Sequence, residues 1–193
     1  ILLFLRMGFR FGPSVMNMLA DDVVNTLFKA VKHLTNEAHL LKGFLRFSVF
    51  DGALAAEIER VKAIHGVAIL YDCHSIRSHI PFLFEGKLPD FNIGTDMGKT
   101  CDPKIEAAAV EVTAAAQGYT SILNGRFKGG WTTRHYGKPE TGVHAIQMEL
   151  AQSTHLATEA VPFAYDEAKA GKLRVHLKNL LQRLETIAAD LKS

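Results

Sequence analysis

Helices alternating with short apolar strands predict an α/β sandwich on a mixed, largely parallel sheet. Three segments carry that expectation. Val67, Ala68, Ile69, Leu70 and Tyr71 form a continuous apolar run after Gly66, the pattern of a strand buried on both faces. The alanine-rich segment from Lys104 to Ala116 is a helix former. Between Tyr165 and Leu191, Leu173, Leu177, Leu180, Leu181, Leu184 and Ile187 recur at helical spacing. A chain of 193 residues suits one domain with one buried core, taken as 1–193.

The elements follow in order. From Val15 to about Leu41, apolar positions at three- and four-residue steps predict a first helix. A second is expected over 53–65, with Asp51 near its N-cap, Leu54, Ile58 and Val61 on one stripe, and Gly66 past its end. The strand at 67–71 comes next. Residues 79–102 carry Pro81, Gly86, Pro89, Gly94 and Gly98 and predict a long loop with a short strand, Phe91 to Ile93. Long loops within compact domains are often functional. After the Lys104–Ala116 helix, Tyr119 to Leu123 reads as a strand and 124–142 as a glycine-rich loop. Val143 to Leu150 reads as a strand and Tyr165 to Leu191 as the terminal helix.

Lys and Arg number 22 against 20 Asp and Glu, a net charge of +2 that gives no reason to expect nucleic-acid or polyanion binding. Cys73 and Cys101 are too few for a disulfide framework and fit a reducing, cytoplasmic compartment. The apolar start ILLFLRMGFRFG is interrupted by Arg6 and Arg10 and lacks the parts of a signal peptide, so neither a membrane span nor a leader is expected.

Candidate chemistry gathers at the carboxyl end of the 67–71 strand, where open α/β sheets place ligands. Asp72, His74, Ser75, Arg77 and Ser78 lie within seven residues. An imidazole, a carboxylate and a guanidinium together suit an anionic substrate, although an Asp and a His closing a loop would look the same. In Val143–Leu150, alternation puts Val143, Ala145, Gln147 and Glu149 on one face and His144, Ile146, Met148 and Leu150 on the other. An ionised Glu149 on such a strand is costly unless paired or used. Spacing leaves open a general acid/base carboxylate and a buried Glu paired with an Arg. The loop NGRFKGGWTTRHYG sets Arg126, Lys128, Arg134 and His135 among glycines, a pattern for carboxylate recognition or for a solvated basic turn. It lacks the Walker order.

Other patterns are weaker. Cys73 and His74 are adjacent in extended backbone and point apart, so Cys73 reads as a buried structural thiol. Ser75 and Ser78 lack a G-x-S-x-G elbow. His33 and Glu37 share a helix face from which His39 turns away, which reads as a polar helix surface.

Taken together, DCHSIRSHIPFLFEGKLPDFNIGT, NGRFKGGWTTRHYG, GVHAIQMELAQSTHL and PFAYDEAKAGKL resemble the successive signatures of the N-formylglutamate deformylases, or N-formylglutamate amidohydrolases. The resemblance runs from about Ala53 to the terminal helix. It implies a three-layer α/β sandwich like that of the zinc carboxypeptidases and a zinc-dependent hydrolase. The implied reaction cleaves N-formyl-L-glutamate to formate and L-glutamate in histidine degradation. His74, in the D-x-H-S motif, would be a ligand of one zinc ion. Glu149, in E-L-A-Q, would activate water and pass its proton to the leaving amine, while Arg77, Arg126 and Arg134 would hold the substrate's carboxylates. Residues 1–52 contain no recognisable counterpart of the family's proline-histidine-glycine segment and nearby acidic residue. The alternative is therefore a truncated or degenerate, non-catalytic member that keeps the fold with an incomplete metal site.

Overall fold

The computed structural model describes residues 2–6 and 42–191, with side chains from residue 51 onward. The helix expected over Val15–Leu41 and the His33, Glu37 and His39 pattern lie outside the described residues.

The strands are β1 (Leu2–Arg6), β2 (Ala68–Ile76), β3 (Phe91–Gly94), β4 (Ser121–Leu123) and β5 (Val143–Ala151). They form one sheet in the order β1-β2-β5-β3-β4. β3 runs antiparallel to β5, and the other neighbours pair in parallel. The helices are α1 (Lys42–His65), α2 (Pro103–Ala114), α3 (Trp131–Tyr136) and α4 (Glu167–Asp190). The expected mixed, largely parallel sheet is the one found.

Two apolar clusters make the molecule three-layered. On one face, Ile69 and Tyr71 of β2, Phe91 and Ile93 of β3, and Ile146, Met148 and Leu150 of β5 pack against Ile105 and Val112 of α2. Leu173, Leu177, Leu180 and Leu184 of α4 complete that core. On the opposite face, Ala68 and Leu70 of β2 and Val143 and Ala145 of β5 meet Leu54, Ile58 and Val61 of α1. The period-2 alternation of the strands thus serves two cores at once. Asp102 caps α2 by accepting from the Lys104 N–H at 2.8 Å, and Asp166 caps α4 by accepting from the Lys169 N–H at 3.0 Å.

Four boundaries depart from expectation. α1 begins at Lys42, so Asp51 lies inside the helix rather than capping it. There its backbone oxygen and its carboxylate both accept from the Tyr136 hydroxyl. β2 continues through Ile76, so Asp72 and His74 stand on the strand and not in a loop beyond it. β4 starts at Ser121, two residues later than Tyr119. The glycine-rich loop contains α3, six residues whose two threonines hid it from a propensity reading. The end of α1 is as expected: Gly66 has φ +77 and donates to Lys62 O at 2.7 Å.

Candidate active site

Between residues 70 and 72 the α1-side face of β2 changes from apolar to polar, and β5 does the same between 145 and 147. The register pairs Asp72 with Gln147 and His74 with Glu149, so four polar side chains leave adjacent strands on one face. Such a cluster on central strands is tolerated only if its members satisfy one another.

Asp72 is 1% exposed. Its Oδ1 lies 2.8 Å from His74 Nε2, and its Oδ2 accepts from the Thr133 hydroxyl of α3 at 3.2 Å. A carboxylate only accepts, so the imidazole donates through Nε2–H and keeps the lone pair on Nδ1. Burial works against a charged His74. The hydrogen bond to Asp72 and the charges of Asp72 and Glu149 outweigh that effect and raise its pKa.

Glu149 is 5% exposed. Its surroundings push its pKa up to about 7, through burial first, with Asp72 adding to the rise while His74 and a hydrogen bond from Gln147 oppose it. Among the residues whose side chains are described, no arginine forms an ion pair with Glu149. Asn92 supports the strand from β3 by donating to the backbone oxygen of Glu149 at 3.0 Å.

The glycine-rich loop lies over this face because the sequence lets it come close. A Cβ on Gly94 would stand 2.5 Å from Gly129 N and 2.8 Å from the carbonyl carbon of Lys128. Gly130 N–H donates to Gln147 Oε1 at 2.6 Å, and Arg134 Nη1 donates to Gly129 O at 2.7 Å.

The structure therefore brings His74 and Glu149 together, with Asp72 behind the histidine and Gln147 beside the glutamate. Arg134 is linked to them through the loop. Arg77 is exposed just past the end of β2, and Arg126 is exposed on the turn after β4. Gln147 and Thr133 escaped the sequence reading as site residues. Alternation already placed Gln147 on the Glu149 face, whereas nothing local marked Thr133. Cys73 turns to the other face, partly buried, and donates weakly to Tyr71 O at 3.6 Å. Ser78 is buried and bonded to Glu159, its hydroxyl donating at 2.9 Å.

As to metal, His74 Nδ1 is a suitable donor with a carboxylate fixing the other ring nitrogen. Among the described residues, however, no group of three or more His, Cys, Asp or Glu side chains could hold a metal ion. A catalytic metal site takes three protein ligands, and the described residues do not by themselves assemble such a set.

Residues 45–156 match the sequence profile of the N-formylglutamate amidohydrolase family. Residues 1–74 match a second profile, described only as a domain of unknown function. The chain is 54% identical to an N-formylglutamate deformylase of Pseudomonas aeruginosa over 70% of its own length and 50% of the relative's. It is 53% identical to one of Pseudomonas putida, over 73% and 52%. It thus spans about half the length of these curated relatives. Among solved structures, an N-formylglutamate amidohydrolase from Ralstonia eutropha superposes with a TM-score of 0.61 at 20% identity, covering 72% of this chain and 52% of that one. An Agrobacterium tumefaciens protein gives 0.54 at 16%, covering 78% and 57%. These two likenesses concern the fold alone. With its profile match covering more than half the chain, and with both relatives above 50% identity, the protein belongs to the N-formylglutamate amidohydrolase family.

Proposed function

We propose that this chain is an amide hydrolase that cleaves N-formyl-L-glutamate to formate and L-glutamate, with Glu149 activating water. The observation that carries the reading is Glu149, a buried carboxylate facing His74 across adjacent parallel strands, with its pKa pushed up to about 7. A base poised near neutrality can both take and return a proton. Glu149 takes a proton from water as the water oxygen bonds to the formyl carbon, and delivers it to the amide nitrogen as the C–N bond breaks. Formate and the free amine of glutamate result. Arg77, Arg126 and Arg134 hold the two substrate carboxylates, a task suited to their planar donor forks.

Zinc dependence is part of the proposal, with His74 as one ligand in an arrangement like that of the zinc carboxypeptidases. Bound zinc would lower the pKa of water and polarise the formyl carbonyl. A cytoplasmic enzyme of histidine degradation is the setting that fits this substrate. Among the described residues no helix is long and apolar enough to cross a membrane.

A second reading is a non-catalytic member with an incomplete metal site; what favours it is that no group of three or more His, Cys, Asp or Glu among the described residues could hold a metal ion. Two measurements on the full chain with added zinc separate the readings. The enzyme predicts one bound zinc per chain and formate released from N-formyl-L-glutamate. No zinc at saturating concentration, with no formate, selects the second.

A further inference from the structure

We propose that Gln147 is a positioning residue that couples the Arg134 guanidinium to the Glu149 carboxylate through the peptide unit between Gly129 and Gly130. The inference deepens the proposed function and rests on its roles for Glu149 and Arg134. One peptide plane is held at both edges: its oxygen accepts from Arg134 Nη1 at 2.7 Å, and its N–H donates to Gln147 Oε1 at 2.6 Å. That donor fixes the orientation of the Gln147 amide, because only the oxygen can face an N–H. Gln147 Nε2 is thereby turned toward Glu149 and donates to Oε2 at a longer 3.4 Å.

The result is an unbroken series of hydrogen bonds from an exposed cation to a buried carboxylate. Each link orients and polarises the next. The middle of the series has little freedom to relax: Gln147 is 4% exposed, Gly129 is buried, and the space between Gly94 and the Gly129 backbone would not admit a Cβ on Gly94. Arg134 spends one N–H on Gly129 O and has others for a ligand. A substrate carboxylate that fixes Arg134 would also fix the peptide, the Gln147 amide and, last, the base. The carboxylate would thus contribute to turnover as well as to affinity.

Two experiments on the full chain test this. In NMR spectra without ligand, Arg134→Leu, a change at an exposed position, should shift both the Gly130 amide and the Gln147 side-chain NH2 resonances. Unshifted resonances at Gln147 would overturn the relay whether or not the chain hydrolyses anything. In a double-mutant cycle, Arg134→Leu and Gln147→Leu should each lower kcat for N-formyl-L-glutamate, beyond any change in KM. The double variant should retain at least about threefold more activity than the product of the two single losses, as coupled neighbours do. Multiplicative losses would overturn the proposal. A parent that releases no formate defeats the proposed function instead, and the NMR shifts still decide the relay.

Discussion

The two faces of the β2–β5 pair are built from the same strands and end differently. On the α2–α4 side, Ile69, Tyr71, Ile146, Met148 and Leu150 continue one apolar core along the strands. On the α1 side, Ala68, Leu70, Val143 and Ala145 give way after two layers to Asp72, His74, Gln147 and Glu149. The first face stabilises the fold by apolar burial. The second gives up that burial and holds a carboxyl whose pKa is raised chiefly by desolvation, a cost typical of sites used for chemistry.

Substitutions on the two sides should therefore fail in different ways. The largest stability effect is expected at Ile146, fully buried on the apolar face. Ile146→Ala should lower unfolding free energy by about 2–5 kcal/mol in a denaturant titration. A loss below about 1 kcal/mol would mean that this face is not the principal core. A smaller effect is expected where the glycine-rich loop crosses the polar face. Gly94→Ala places a methyl 2.5 Å from Gly129 N, a backbone atom that must move. It should cost roughly 1–3 kcal/mol. Because the loop also carries Arg134, this variant should raise KM for N-formyl-L-glutamate, whereas Ile146→Ala should leave KM near that of the parent.

How much of this the chain announced depends on the physics of each region. The parallel strands and α4 were legible because burial imposes continuous apolar runs or a helical stripe. Gln147 and Glu149 could be placed on one face because alternation along β5 is strict. Two kinds of feature were not legible. The apolar run ends at Tyr71 because Asp72 looks like a strand-ending residue, and only its tertiary partners His74 and Thr133 make a buried aspartate tolerable in the sheet through Ile76. α3 was hidden for a related reason. Its place depends on Gly130 reaching Gln147 and on Tyr136 reaching Asp51, contacts distant in sequence that no local pattern encodes. The family motifs pointed to His74 and Glu149, but gave no account of how the loop and the base are joined.

The central claim is that the polar end of this face serves turnover at the expense of stability, and Glu149→Gln tests it most directly. In the folded chain the carboxyl holds its proton up to about pH 7, against an ordinary value of 4.5. Between those values the folded state binds more protons than the unfolded one, so this group's contribution to stability falls as pH rises and is lost above about 7. The variant, measured with chelator at pH 8, should be more stable than the parent by on the order of 1–3 kcal/mol. Formate release should at the same time drop about 10²–10⁴-fold. A variant that keeps the parent's turnover, or is less stable than the parent at pH 8, would contradict the account.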